Sequence, residues 1–188
     1  MSGRRLKLVL LLAGLGLSGL IFLAWTQTWF GIALDDGPTL SVAGDVAAPA
    51  LSTLALTCLV LVGALSIAGP VFRVILGVLE AALGVTVVLS GVLALADPVK
   101  ASSAVVSDAT GVAGSESIAG LVASVSIAAW PWVATVAGAL LVLLGVIVVA
   151  TAGRWPGSGR KYSAVRLAPA DGDSVDDWDS LSEGHDPT

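Results

Sequence analysis

The chain is short of the groups that do chemistry in water. It has one cysteine and one histidine among 188 residues, and only 12% of its residues are charged. A lone cysteine, Cys58, excludes an internal disulfide, and neither it nor His185 has neighbours at metal-ligand spacing. There is no glycine-rich phosphate loop, no serine elbow and no basic patch interleaved with aromatics. No catalytic residue can therefore be named. No metal, cofactor or nucleic-acid partner is expected, and the chain is not expected to be an enzyme. No pair of apolar segments is interrupted by Pro or Gly in the manner of a secondary-transporter site.

What is present is apolar. Hydrophobic residues make up 56% of the chain, and the mean hydropathy is +0.94. A soluble domain carries roughly 25% charged residues, so this chain lacks the polar groups to cover a globular surface. A helix needs about 20 apolar residues to cross a ~30 Å hydrocarbon core. Four segments qualify, at about 6–25, 50–68, 72–96 and 127–152. Helix is the state expected for each, because an open strand in lipid leaves its backbone groups unpaired. Ser52, Thr53, Thr57 and Ser66 dilute the second span, but their hydroxyls can bond back to carbonyls of their own helix. Gly69-Pro70 separates spans two and three. Proline lacks an amide hydrogen and disfavours helix at the residue before it, so a tight antiparallel turn is expected there. One continuous helix would be roughly 70 Å long at 1.5 Å per residue, too long for one crossing. The first span has a basic start, but its apolar run exceeds a signal-peptide core and no clear small-residue cleavage site follows. It is expected to stay as an anchor.

Charge sets the orientation. Cytoplasmic loops retain Lys and Arg. Arg4, Arg5 and Lys7 precede span one, and Arg73 flanks the turn between spans two and three. Arg154, Arg160, Lys161 and Arg166 follow span four, which leaves Lys100 alone on the other side. The first outer loop carries Asp35, Asp36 and Asp45 without a base. The expectation is an all-α, four-helix transmembrane bundle, N-in/C-in, in a bacterial plasma membrane with the lipid bilayer as its first partner. Trp25, Trp29, Trp130, Trp132 and Trp155 fall at span ends and are expected to anchor the interface, where an indole ring is buried and its N–H wet.

Residues 1–156 form the expected transmembrane domain and 157–188 a cytoplasmic tail. Basic residues lie nearest the membrane, and seven of the fourteen acids fall in the last eighteen residues. Such a tail reads as disordered and solvated, or as a docking peptide, because Trp178 sits alone among acids in Asp177-Trp178-Asp179. The second outer loop, about 97–126, is rich in Ser, Ala, Val and Gly, with a short amphipathic helix expected near 118–125. Glycines mark candidate helix contacts: Gly77, Gly84 and Gly91 on span three, Gly138 and Gly145 with Ala134 on span four, and Gly14 with Ser18 on span one.

Glu80 is the one ionisable side chain well inside a span. Such residues are costly in lipid and are functional candidates by default. It shares the face of Gly77 and Gly84 and leans toward Arg73. It reads either as a polar clamp between helices, with a water-mediated link to Arg73, or as a proton or substrate site.

Three segments carry a family resemblance. They are Ala24-Trp25-Thr26-Gln27-Thr28-Trp29, then Trp130-Pro131-Trp132-Val133 with Arg154-Trp155-Pro156 and Tyr162, and the ending from Trp178 to Thr188, of the form W-x-x-L-x-x-G-x-D-P-T. The whole resembles the tryptophan-associated transmembrane protein family of actinobacteria, small four-span proteins whose genes lie among those of tryptophan biosynthesis. The resemblance implies a non-enzymatic membrane component of that pathway. It favours a tail that docks a cytoplasmic tryptophan-pathway protein through Trp178, Leu181, Asp186, Pro187 and Thr188. A small carrier for an aromatic amino acid or a pathway intermediate, with Glu80 on its path and the chain in a homo-oligomer, is the other function considered.

Overall fold

The computed structural model describes residues 3–35 and 37–155. Asp36 and the tail, with Trp178, Leu181, Asp186, Pro187 and Thr188, lie outside the described residues. In chain order the elements are α1 (Gly3–Thr26), β1 (Thr28–Leu34), β2 (Thr39–Ala43), α2 (Gly44–Ala47), α3 (Ala50–Ile67) and α4 (Pro70–Ala96). They continue with α5 (Pro98–Ala101), α6 (Ser103–Thr110), α7 (Ser115–Ala119), β3 (Val122–Ile127) and α8 (Trp130–Thr151), which ends in a 3-10 turn over Ala152–Arg154. Helices α1, α3, α4 and α8 are long and apolar enough to cross a membrane. The hydroxyls of Thr57 and Ser66 donate to the carbonyls of Thr53 and Gly63, at 2.7 and 2.6 Å, so α3 satisfies its polar groups internally.

The four long helices form a closed ring of neighbours: α1 packs on α3 and α8, and α4 packs on α3 and α8. The turn between α3 and α4 is as short as expected. Ala68 and Gly69 are extended, and Pro70 opens α4, where its missing amide hydrogen costs nothing. The Lys7 ammonium donates to the Ser66 carbonyl at 2.6 Å, which ties the start of α1 to the end of α3.

The α4–α8 contact is the closest in the bundle. Lipid provides no hydrophobic drive between helices, so van der Waals contact must hold them, and glycine lets backbones touch. A Cβ on Gly145 would lie 2.5 Å from the Gly77 carbonyl oxygen and 2.6 Å from the Ala81 nitrogen. A Cβ on Gly84 would meet the Val142 nitrogen at 2.7 Å and the Gly138 oxygen at 2.8 Å. The glycine stripes of the two spans therefore face each other backbone to backbone. On α1, Gly14 meets Val62 of α3, and the buried Ser18 hydroxyl donates to the Gly14 carbonyl at 2.8 Å.

The loops opposite the termini form a cap that contains strands as well as helices. Strand β1 is central in an antiparallel sheet of order β2-β1-β3. Ile32 pairs with Leu40 on one side and Val125 on the other. Phe30, Ile32 and Val42 are fully buried, and they join Ile21 of α1, Leu51 of α3, Val106 of α6 and Ile118 of α7 in one core that continues into the bundle. The amphipathic helix expected near 118–125 is corrected here. Helix α7 stops at Ala119, and 122–127 is strand, because Val-Ala-Ser-Val-Ser-Ile pairs its backbone with β1. For the same reason the fourth long helix starts at Trp130 and not at Ile127, which is opposite Phe30 in the sheet.

Gly145→Ala is expected to destabilise the bundle by about 1–3 kcal/mol, the range for overpacking. Gly63→Ala, where an added Cβ meets nothing within 4 Å, is expected to be near neutral. Thermal unfolding in detergent separates the two.

Candidate functional site

Helix α4 buries Arg73, Gly77, Glu80, Gly84, Val87, Gly91 and Ala94. This three-and-four spacing puts both ionisable residues on the stripe that meets α8. Arg73 is 1% exposed and Glu80 0%. They are about 10 Å apart along the helix axis at 1.5 Å per residue.

Because α4 and α8 are antiparallel, Arg73 lies beside the last turn of α8. The final carbonyls of a helix lack partners of their own. The Arg73 Nη1 donates to the carbonyls of Ala152 and Trp155 at 3.3 and 3.4 Å. Its guanidinium carbon sits 5.2 Å from the centre of the Trp155 ring, a cation–π distance. The Trp155 indole N–H donates in turn to the Thr151 hydroxyl at 3.2 Å. A cation at a helix C-terminus is also favoured by the helix dipole. The arrangement is a latch that binds the start of α4 to the end of α8.

Glu80 is in a different situation. Both carboxyl oxygens are buried without a hydrogen-bond partner among the described residues. Above and below, Gly84 and Gly77 hold α4 against α8. Chemically, an enclosed carboxyl of this kind can accept hydrogen bonds or hold a proton or cation. Arg73, by contrast, is directed to the carbonyls at the end of α8.

Residues 8–188 match the tryptophan-associated transmembrane protein family. The chain belongs to that family. It is thus a multi-pass membrane protein linked to tryptophan, and the matched span includes the tail. No curated protein and no solved structure matches it.

The tryptophans at the span ends have unequal surroundings. Trp132 is 58% exposed at the start of α8, as an interface residue would be. Trp25 and Trp130 are half-buried. Trp29 is corrected: its ring is wholly enclosed in the cap, and its N–H donates to the Ala24 carbonyl at 2.7 Å. Trp155 is also packed inside protein, by the Arg73 latch. In both, the indole N–H finds a protein acceptor, so the ring can leave the lipid boundary.

The structure also shows a feature that spacing did not reveal, a cleft of about 540 Å³ between α5–α6 and α7 in the cap, with Lys100 on its wall. Its signals were Asp97-Pro98, which starts α5 by accepting the Lys100 amide at 2.9 Å, and the isolation of Lys100 as a base.

Arg73→Met is expected to cost about 2–3 kcal/mol, as for loss of charge-assisted bonds, and Arg73→Lys less. Glu80→Leu is expected to raise stability by about 1–3 kcal/mol, because it removes a buried unpaired polar group. Detergent unfolding midpoints check both.

Proposed function

We propose that the protein is a non-enzymatic anchor in tryptophan metabolism, held in a bacterial plasma membrane with both termini in the cytoplasm. Its tail docks a cytoplasmic tryptophan-pathway protein through Trp178, Leu181 and Asp186-Pro187-Thr188. One observation carries this reading: the Arg73 latch holds Trp155, immediately before the tail, against the bundle. A fixed root of this kind suits a platform that presents a peptide. Two further facts support it. The ends bearing Arg5, Lys7, Arg73 and Arg154 lie on the face of the bundle where α8 ends, as the retention of basic residues in the cytoplasm requires. The family match also extends through the tail to Thr188.

A second reading is favoured by the bare Glu80 carboxyl. In it the protein is a small carrier subunit for an aromatic amino acid or a pathway intermediate, assembled as a homo-oligomer with Glu80 on the path.

In a pull-down from native membranes, the full-length chain is expected to retain a tryptophan-pathway enzyme that a chain ending at Ala168 loses, while both insert equally. Equal recovery with both chains removes the docking reading. If Glu80 carries flux, Glu80→Gln stops transport without stopping assembly, and wild-type transport in that variant removes the carrier reading.

A further inference from the structure

We propose that the cap cleft binds a small organic carboxylate with an apolar body, held by Lys100. This site is separate from the tail and from Glu80, and it goes beyond both readings above.

The argument starts from charge. Among the described basic residues, Lys100 is the one away from the face where α1 begins and α8 ends. The cap around it is otherwise acidic, with Asp35, Asp45, Asp97, Asp108 and Glu116. Lys100 is exposed, and a surface ion pair with one of these carboxylates would gain little, so its charge stays available to a ligand. The Lys100 ammonium makes no ion pair or hydrogen bond among the described residues. The nearest acid in sequence, Asp97, uses its Oδ1 to accept the Lys100 backbone amide at 2.9 Å.

Lys100 also occupies a particular place. It lines the cleft between α5–α6 and α7, of about 540 Å³, and a second cleft of about 460 Å³ at the junction of α2, α3 and the end of α4. The first volume falls within the ~300–1,000 Å³ typical of small-molecule sites. Beside Lys100 on its α6 wall are Ser103 and Ser107, one helical turn apart, and Ser115 faces them from α7. Hydroxyls donate to a carboxylate and accept from a bound water equally well. The apolar part of the lining is Val99, Ala104, Ile118 and Ala119, and Ile118 belongs to the buried core of the cap. Asp97 also lines the cleft, with its Oδ1 accepting the Lys100 amide. Beside it, one cation, three serines and an apolar floor match a carboxylate head on an apolar body. The segment between the two walls contains Gly111 and Gly114, both at positive φ (69° and 103°). Glycine adopts this conformation without strain, and it lets α7 fold back opposite α6.

The test uses the full-length protein in lipid nanodiscs and calorimetric titration with phenylacetate and with phenylacetamide, its neutral isostere. Phenylacetate is expected to bind saturably and at least about tenfold more tightly than the amide. Lys100→Ala is expected to abolish that preference, Lys100→Arg to keep it, and Asp45→Ala, outside the cleft, to leave it unchanged. Unfolding midpoints confirm that each variant is folded. Equal affinity for acid and amide, full binding by Lys100→Ala, or no saturable binding of phenylacetate overturns the proposal. None of these results bears on capture of a partner by the tail, so the two can fail separately.

Discussion

Helices in lipid gain nothing from hiding apolar side chains from one another, since the acyl chains are equally apolar. What holds this bundle is how closely α4 and α8 approach. Gly77 and Gly84 on one helix meet Gly145 and Gly138 on the other at backbone distance. The rest of the membrane body is arranged around that pair. α1 lies against α8 and α3, and α3 closes the ring on α4. The same register places Arg73 beside the last turn of α8 and encloses Glu80 between the two glycine contacts.

The two ionisable residues of α4 show how one helix face can treat charge in two ways. Arg73 is buried but well supplied, with two carbonyls and an aromatic ring. Its planar fork and weak hydration suit that role. Glu80, two turns deeper, has its oxygens enclosed without a partner among the described residues. The first residue joins helices. The second costs stability where it lies, because its carboxyl is enclosed without a partner among the described residues.

The cap shares one core with the membrane body. Its sheet is anchored at the end of α1, where the Trp29 indole donates to the Ala24 carbonyl and a Cβ on Gly44 would strike the Trp25 carbonyl oxygen at 2.7 Å. Phe30, Ile32 and Val42 then extend the bundle core outward without a break. Ile118, which lines the cleft beside Lys100, is part of that same core.

Much was legible in the order of residues alone. Long apolar runs are helices in lipid because no other state pairs the backbone, and Gly69-Pro70 could only be a turn. Arg4, Arg5, Lys7, Arg73 and Arg154 gather at one face, and the seven-residue recurrence of glycine on α4 and α8 announced a contact. The family resemblance rested on short tryptophan-bearing segments, and it is met by a match over residues 8–188. The cap was not legible in the same way, although Thr28 to Leu34 and Thr39 to Val42 flank an Asp36-Gly37 pair that is a hairpin signal. The third strand pairs with the first across 95 residues, as the contact of Ser126 with Gly31 shows. The segment 122–127 is strand only because β1 offers it an edge. Which tryptophans face lipid was likewise decided in three dimensions. Composition puts an indole near a boundary, but only the carbonyl of Ala24 and the guanidinium of Arg73 draw Trp29 and Trp155 inside. Local sequence determines what can cross a bilayer, because that is set by backbone pairing within one segment. Tertiary structure decides which polar groups meet, because that is set by segments far apart in the chain.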